Sequence, residues 1–503
     1  MEWVFRFFIR NKFLLIKYQA LQHFTFTLNP VKKCIWCGVL LISMQRLDAQ
    51  HFYGIRGSSY GGSLNMLHNP AAIVNTPFPW DITLLGYQQL QSTNAVYLLN
   101  GSLLGWPDTL HYRYADGHFK RYALVQGDLD LLQVRMALDR KRVIGFGVSA
   151  HAYGWAYTSP VTVEDTVNSL RSFLNIQQER DFNGRLTSSG WIDIHATYAQ
   201  TWIDNPVMRL NGGLTLKIMR GISGAFARID ELQVRQRTLS QGNVYQFPLF
   251  SAKYGYSSNY DQQVASNTYD FLNHSQGSIA ADLGVEYLIK KQEPVNYYAP
   301  DSYYDYWWKI GISLLDIGHN RFRYGQQSRE LYQVQNNVTD ATVEQKLTGI
   351  RSLQQFNDSV QRLVVQMNSL NGMFSISNPT RLVIDVDHPM QGQFSFNASV
   401  TVPIAVFTHG ATGMLKSNEW LMFTPRWEKK RLGIYLPLQY TVEQRFWIGL
   451  ALRAGPLLAG IHHLPGLFSS RQVTQSGGYI AITIRPDRLT PAHRDKRLNC
   501  PGF

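Results

Sequence analysis

The chain of 503 residues has only three cysteines, Cys34, Cys37 and Cys500. The first two lie in an apolar stretch near the N-terminus that has the character of a cleaved leader. One cysteine would then remain, and no intramolecular disulfide could form. The Cys-x-x-Cys pair has no strand–helix unit behind it, which redox motifs of this spacing have. We therefore predict neither a disulfide framework nor a metal or cofactor site.

Recognisable catalytic motifs are also missing. The sequence has no phosphate-binding loop, no Gly-x-Ser-x-Gly, no His-Glu-x-x-His and no calcium-binding loop. Asp193 and His195 share one face of an expected strand and could suggest a catalytic dyad. We interpret them as part of a structural polar network, because perturbed titratable pairs are often structural. We predict that the protein is not an enzyme, and a hydrolase stays as the alternative.

Positive charge is concentrated at the two ends of the chain. The formal net charge is +13, from 48 Lys and Arg against 35 Asp and Glu. The first 49 residues hold seven basic and two acidic residues, and the last 19 hold five and two. The body is therefore only mildly basic. Because no dense basic run alternates with aromatic residues, we expect no nucleic acid partner.

Long apolar runs are absent, and the one short run resembles a secretory signal. Lys32 and Lys33 precede an apolar run from Cys34 to Met44, and Ala49 precedes Gln50. A basic start, a short apolar core and a small residue at the end are typical of a cleaved signal peptide. We assign 31–49 to the signal, with cleavage after Ala49, and expect that 1–30 precede the true start. The end, 486–503, is a basic polar tail.

Strand-like alternation fills the rest of the chain. Between Val207 and Arg220, apolar residues such as Leu214 and Leu216 occupy one face, and polar residues such as Thr215 occupy the other. Ala281–Lys290, 191–203 and 393–402 repeat the pattern. Without long apolar helices, a chain that resides in a membrane must close its backbone hydrogen bonds as a β-barrel. The polar faces would line its lumen, with these candidates: Asp193, His195, Arg209, Lys217, Asp282 and Glu286.

The predicted fold is all-β, an antiparallel transmembrane β-barrel. Fourteen strands are predicted, over 80–90, 94–104, 122–137, 142–158, 191–203, 207–220, 281–290, 305–317, 380–388, 393–402, 419–427, 431–440, 446–453 and 478–485. Very short polar turns near 139–141, 204–206, 388–390 and 428–430 indicate hairpins. Two further strands near 109–114 and 456–463 would give 16, and would put the short turns on the periplasmic side. Helical spacing of apolar residues predicts helical inserts within 162–179 and 345–369.

Several short motifs, in order along the chain, resemble one protein family. They are the stretch from Gly54 to Ala72, the strand from Trp307 to Gly318, Phe423–Trp427, and Leu452–Leu457. Together they are similar to a family of Bacteroidetes outer-membrane proteins of unknown function, the DUF5723 type. Asn69-Pro70-Ala71 is also similar to an element of FadL-type channels and their PorV-like relatives. In those barrels the N-terminal segment folds into the lumen as a hatch, and the resemblance implies the same arrangement here.

These observations lead to three hypotheses about function. The first is passage or capture of a small apolar molecule, with a hatch over 50–79, a barrel over 80–485 and hatch candidates Arg56, Asn69, Pro70 and Ala71. The second is a non-enzymatic scaffold or shuttle for secretion machinery. The third is an outer-membrane hydrolase. All three place the protein in the outer membrane of a Gram-negative bacterium, with outer-membrane lipid and the barrel-assembly machinery as partners.

Overall fold

The computed structural model describes residues 52–99, 111–164, 167–239, 242–261, 268–291, 306–390, 392–405, 410–416, 420–468 and 474–486. The strands are β1 Trp80–Thr93, β2 Val96–Leu99, β3 His111–Tyr114, β4 His118–Ala137, β5 Arg142–Thr162, β6 Asp181–Asp204, β7 Met208–Leu239, β8 Gly242–Tyr256, β9 Gln276–Lys290, β10 Tyr306–Arg323, β11 Arg329–Val334, β12 Val364–Ser369, β13 Met373–Ser377, β14 Arg381–Pro389, β15 Phe394–Pro403, β16 Gly413–Met414, β17 Trp420–Glu428, β18 Leu432–Tyr435, β19 Leu438–Thr441, β20 Phe446–Ile448, β21 Leu450–Ala454, β22 Leu457–Ile461 and β23 Gln475–Ile484.

The helices are short. Three 3-10 turns, Tyr53–Ile55, Gly62–Leu67 and Pro70–Val74, precede the first strand, and a fourth is Ser258–Tyr260. The α-helices are Leu170–Asn175, Thr268–Asn273, Asp340–Leu347, Leu353–Gln361 and Pro465–Phe468. Among the described residues, no helix is long and apolar enough to cross a membrane.

Fourteen strands close into one antiparallel barrel, which confirms the predicted fold class. The ring runs β1, β4, β5, β6, β7, β9, β10, β14, β15, β17, then two interrupted strands, then β22 and β23, which pairs back with β1. The first interrupted strand is β18 with β19, and the second is β20 with β21. Pro437 lies in the gap between β18 and β19, where its missing N–H removes a ladder hydrogen bond.

The count of fourteen is confirmed, but one of the fourteen predicted positions is wrong, and a strand predicted only as optional takes its place. The strand predicted over 94–104 is not in the barrel, because β2 pairs with β3 in a separate hairpin, and 100–110 lie outside the described residues. The optional strand near 109–114 is β3 of the same hairpin. The optional strand near 456–463 is β22, which does belong to the barrel. Short turns and both barrel termini therefore lie at one end, here called the short-turn end.

The helical insert predicted over 345–369 is also only partly helical. Gly349, at φ 78°, lies between the helices Asp340–Leu347 and Leu353–Gln361. Beyond Leu363 the chain becomes β12, because its backbone pairs with β11. The insert within 162–179 contains the helix Leu170–Asn175, which Ser169 caps. Helical loop inserts are therefore present, but shorter than the apolar spacing suggested.

At the other end, here called the long-loop end, strands project well beyond bilayer thickness. Strand β7 has 32 residues, whereas a tilted strand needs about 9–11 to cross a bilayer. Its outer part pairs with β8, which in turn pairs with β11. This projecting region has hydrophobic clusters of its own, one around Tyr245 and one around Leu331. It forms a folded projection at the long-loop end, here called the cap.

The outer surface of the barrel is apolar. Leu214, Leu216 and Ile218 on β7 are 40%, 59% and 70% exposed, while Thr215 between them is buried. Aromatic side chains form an exposed ring near the short-turn end, at these strand ends: Trp80, Trp202, Trp307, Trp308 and Phe394. Polar residues point inward. The buried face of each strand therefore lines the lumen and does not pack against a second sheet.

Candidate functional site

Residues 52–78, here called the N-terminal segment, lie inside the lumen at the short-turn end. Phe52, Ile55 and Leu64 are fully buried against lumen-facing side chains that include Tyr435 and Tyr479. Phe52 meets the Tyr479 ring edge-on at 5.8 Å, and the Tyr479 hydroxyl accepts a hydrogen bond from the Gly54 amide at 3.0 Å. The segment therefore fills this end of the barrel.

Cationic side chains of the wall hold the main chain of the segment. Arg426 Nη1 donates to the Arg56 carbonyl at 3.0 Å, and Lys309 Nζ donates to the Gly57 carbonyl. Arg135 donates to the Ile73 carbonyl at 2.7 Å and to the Phe78 carbonyl at 2.8 Å. The carbonyls of a chain without regular structure need partners once they are buried. These three wall cations supply them.

Asn69-Pro70-Ala71 packs against two glycines of the barrel wall. Asn69 Oδ1 accepts from the Ala71 amide at 3.0 Å and caps the turn that Pro70 opens, while Asn69 Nδ2 donates to the Val285 carbonyl at 3.1 Å. Gly213 and Gly284 face each other on β7 and β9 directly beneath. A Cβ at Gly213 would be 2.4 Å from the Ala71 nitrogen, so the two backbones approach more closely than any side chain would allow.

Arg56 is the fourth hatch candidate, and it points into the wall. Its Nη1 lies 3.4 Å from Ser399 Oγ and 3.4 Å from Thr401 Oγ1 on β15. Nearby, His68 is buried, and the Ser313 hydroxyl donates to its carbonyl at 2.8 Å. Burial, Arg56 and Arg381 together hold the pKa of His68 well below its usual value of about 6.5. The imidazole is therefore neutral in this arrangement.

Asp193 and His195 belong to a hydrogen-bonded chain in the lumen. His195 Nδ1 is 2.8 Å from Asp193 Oδ1, and its Nε2 is 2.8 Å from Gln133 Oε1. The chain continues to His151, whose Nε2 is 2.8 Å from Asp193 Oδ2 and whose Nδ1 contacts Asp128. All ring nitrogens of the two histidines are engaged by protein groups. The two histidines therefore join Gln133, Asp193 and Asp128 into one network.

The other lumen-facing candidates form ion pairs and hydrogen bonds. Lys217 Nζ is 2.9 Å from Asp282 and 2.6 Å from Asp316, which Arg381 also contacts at 2.6 Å. Arg209 Nε is 3.4 Å from Asp204, and a second nitrogen is 3.5 Å from Asn75 of the N-terminal segment. Glu286 accepts from Asn211 at 3.1 Å and lies 3.7 Å from Lys309. Charges of opposite sign are therefore interspersed across the lumen.

Several residues that hold this site together were not anticipated. Asp316 has φ 57° at a register shift of β10, so simple alternation misplaces it. Asp128 and His151 lie on strands whose inner faces are predictable from alternation, but their contact depends on β4 pairing with β5. Arg426 and Arg135 also lie on the inner face that alternation along their strands predicts. Nothing in the sequence indicates that their partners are main-chain carbonyls of the N-terminal segment.

A small sheet crosses the lumen at the long-loop end. Beyond its register shift, β10 pairs with β13, and β13 pairs with β16. We call these three the crossing sheet, because Gly413 of β16 approaches Thr187 on β6, and the Lys416 carbonyl approaches Gln126 on β4 at 3.4 Å. Its buried face packs on the inner wall in an aromatic cluster that includes Trp191, Phe226, Phe322 and Phe374. Phe374 lies 5.3 Å from Phe322 and 5.5 Å from Phe226.

The other face of the crossing sheet lines an open pocket of about 370 Å³. Alternation along β10 and β13 puts Phe322 and Phe374 on the packed face and their neighbours on the other. The lining residues are His319, Arg321, Met373, Phe374, Ser375, Ser377, Gly410, Ala411 and Thr412. The volume lies at the small end of the range for ligand pockets, about 300–1,000 Å³.

Comparison with known proteins identifies the family. Residues 70–461 match the family of unknown function DUF5723, and the chain belongs to that family, as the motifs predicted. No curated protein matches it. Solved structures similar to it include the Ralstonia pickettii toluene transporter TbuX, with 12% identity, 84% of this chain and 94% of that chain covered, and a TM-score of 0.36. A Pseudomonas aeruginosa FadL homologue has 11% identity, 87% and 97% coverage, and a TM-score of 0.41.

The translocator domain of the Neisseria meningitidis autotransporter NalP is similar as well, with 7% identity, 81% of this chain and 88% of that chain covered, and a TM-score of 0.26. Likenesses this weak carry no argument about what this chain binds. Its function has to be inferred from the outer surface of the barrel and from the geometry of its lumen.

Proposed function

We propose that the protein is an outer-membrane barrel that captures a small apolar molecule or lets it pass, with the N-terminal segment as its gate. Membrane residence is supported by the outer surface. Exposed aliphatic side chains such as Ile218 and Ile279 would be costly in water, and the aromatic ring at the short-turn end suits the bilayer interface. Export through a cleaved signal peptide, with assembly by the barrel-assembly machinery, belongs to the same proposal.

Membrane residence is testable by fractionation and by one pair of variants. The mature chain should stay with outer membranes through a carbonate wash, and its release would contradict the proposal. Leu214→Arg puts a charge into lipid at a cost of about 2–4 kcal/mol and should reduce assembled protein. Val442→Arg is the matched control, because Val442 is 64% exposed but lies in the turn between β19 and β20 rather than on the outer face of a strand. Thr215→Arg is not a suitable control, because Thr215 is buried 2.8 Å from Thr197.

One observation carries the gating proposal, namely that the segment's main chain is held in the lumen by hydrogen bonds from Arg135, Lys309 and Arg426. When the segment leaves, water can satisfy both its carbonyls and these cations. These bonds therefore oppose departure less than buried unpaired groups would, and the remaining cost is exposure of buried side chains such as Phe52 and Ile55. The interspersed charges of the lumen would remain paired with one another and keep the barrel wall together.

A reversible tether tests the gate. Ser63 Oγ in the segment lies 2.9 Å from Thr83 Oγ1 on β1, so Ser63→Cys with Thr83→Cys places two thiols within bonding reach. Cys500→Ser removes the cysteine that would otherwise compete. In proteoliposomes the oxidised protein should admit arabinose more slowly than the reduced protein. Equal rates in the two redox states would contradict the gate.

Deletion of residues 54–72 gives the opposite arm of the test. The barrel wall should still form, which heat-dependent gel mobility reports, and arabinose permeability should rise. If the deletion variant folds but stays as impermeable as the full chain, a different part of the protein closes the pathway. The crossing sheet would then be the barrier.

The scaffold hypothesis is favoured by a different observation, the cap with its own hydrophobic clusters around Tyr245 and Leu331. Ligand passage does not require a projecting region of that size, whereas a partner protein would need such a surface. Replacing residues 233–249 by a short turn should leave arabinose permeability unchanged. Loss of a co-purifying partner on the same replacement would support the scaffold role.

A further inference from the structure

The pocket on the crossing sheet is lined by basic and neutral side chains and by no acidic one. Two of its lining side chains, His319 and Arg321, are basic types, and none of the nine lining residues is acidic. Hydroxyl groups come from Ser375, Ser377 and Thr412. Oxyanions are recognised by this combination of a guanidinium with neutral hydrogen-bond donors.

His319 and Arg321 are arranged to present donors. Arg321 Nε donates to His319 Nε2 at 3.2 Å, so the proton of the neutral imidazole sits on Nδ1. The two terminal nitrogens of Arg321 lie beyond that bond, and its side chain is exposed. These two nitrogens can therefore donate hydrogen bonds to a bound anion.

Ser377 supplies a second, independent observation. Its side chain is only 1% exposed, it lines the pocket, and its hydroxyl has no hydrogen-bond partner among the residues that the structure describes. Its backbone is well placed by contrast, because the Ser377 carbonyl accepts from the Leu415 amide at 3.1 Å. A buried hydroxyl left unpaired is unfavourable, and such groups usually mark a place where something else bonds.

The rest of the pocket is apolar and small. Met373 and Ala411 give it an apolar side, while Phe374 borders it with its ring packed into the aromatic cluster behind the sheet. At roughly 30 Å³ for each water-sized group, about 370 Å³ holds about a dozen heavy atoms. A long-chain lipid would not fit within it.

We propose that this pocket binds a small organic anion, with its carboxylate or phosphate at Arg321, His319 and Ser377 and its apolar body on Met373 and Ala411. The inference deepens the proposed function by narrowing the ligand to a molecule whose apolar body carries an anionic group, and it rests on that function only for the ligand's onward passage. Binding itself depends on the crossing sheet alone. Gate and pocket are therefore separable by experiment.

The experiment uses the full mature chain in detergent micelles, with calorimetric titration of three probes. Benzoate has the anion and the apolar body, benzyl alcohol has the body with a neutral hydroxyl, and inorganic phosphate has the anion alone. Benzoate should bind at least tenfold more tightly than either of the others. Benzyl alcohol binding equally well would overturn the anion assignment, and phosphate binding equally well would overturn the apolar body. The absence of saturable benzoate binding would overturn the proposal as a whole.

Variants then locate the binding. Arg321→Gln should weaken benzoate binding at least tenfold, and Ser377→Ala severalfold. Arg323→Gln is the matched control, because Arg323 is two residues along the same face of β10 but does not line the pocket. Equal affinities for Arg321→Gln and Arg323→Gln would place benzoate elsewhere. If these results hold while the tethered gate passes arabinose freely, the pocket stands and the gating function fails.

Discussion

The two ends of the lumen are closed by different physical means. The N-terminal segment carries one arginine, one histidine and no acidic residue between 52 and 78, and wall cations hold its carbonyls. The crossing sheet obstructs the other end with rings, among them Phe226, Phe322 and Phe374. The N-terminal segment combines polar contacts that water can replace with buried side chains such as Phe52 and Ile55, whereas the crossing sheet depends mainly on burial that water opposes.

The way each part is attached indicates which one moves. The segment's hydrogen bonds come from charged donors, and each contributes about 1.5–3 kcal/mol net. Burial of each large apolar side chain contributes a similar amount at either end, about 1.5–3 kcal/mol. The crossing sheet, in addition, is continuous with β10 of the barrel wall, so we expect the N-terminal segment to undock more readily than the crossing sheet. Four predictions test that comparison, in order of decreasing effect.

The largest effect should come from Arg426→Leu. Arg426 lies 2.7 Å from Asp387 and 3.0 Å from Glu428, and all three side chains are fully buried. Removing one partner of a buried ion pair leaves uncompensated charge and costs about 3–5 kcal/mol. Denaturant unfolding in detergent measures this loss, and amide exchange should accelerate around Gly57.

Arg142→Leu is the control for that variant, because Arg142 pairs with Asp139 in an exposed turn. It should unfold at nearly the same denaturant concentration as the parent protein. If the two variants lose similar stability, the wall cation does not hold the segment in the way the contacts indicate.

Phe322→Ala should weaken the other closure by about 3 kcal/mol, the lower end of the range for buried Phe→Ala changes. The ring packs against Gly221 and Gly224 on the inner wall, so its loss leaves a cavity behind the crossing sheet. Amide exchange should rise at 373–377 and 413–415 but not in the N-terminal segment. Faster exchange in both regions would show that the two closures move together.

Lowering the pH should weaken docking of the N-terminal segment, by less than these two substitutions weaken their regions. Because the pKa of His68 is held below its ordinary value in the docked segment, docking is favoured fully above about pH 6.5 and weakens as the pH falls below it. Amide exchange near His68 should therefore be faster at pH 5 than the chemical rate alone predicts. His68→Gln should remove this extra dependence, and a dependence that persists in the variant would have to come from another group.

The sequence predicted the wall of the barrel better than its contents. Alternation placed Leu214 outward and Thr215 inward, because the pleat of a strand puts neighbours on opposite sides whatever the strand's partners are. The strand over 94–104 was misplaced because one strand's own sequence does not encode which strand it pairs with. Its described part, β2, pairs with β3 instead of with the barrel.

The contents of the lumen depend on contacts between residues far apart in the chain. Lys309 donates to the carbonyl of Gly57, which lies 252 positions earlier in the chain, and no local sequence pattern predicts that contact. The crossing sheet was missed because it begins within a strand, at the register shift beside Asp316, where alternation slips. Glycine density did point to the N-terminal segment, and the structure adds that Gly213 and Gly284 of the wall give it room.

The smallest predicted effect concerns Asn69, whose two side-chain atoms do different things. Oδ1 caps the turn Pro70–Val74 through the Ala71 amide, and Nδ2 donates to the Val285 carbonyl on β9. Asn69→Ala removes both contacts and should weaken docking of the segment by about 1 kcal/mol, the usual cost of losing a capping side chain. Asn69→Asp keeps the cap but loses the donor, and it adds a charge near Asp385, since a Cβ on Gly311 would touch both side chains. We therefore expect Asn69→Asp to raise arabinose permeability more than Asn69→Ala does. The reverse order would mean that the cap, rather than the contact with the wall, holds the segment in place.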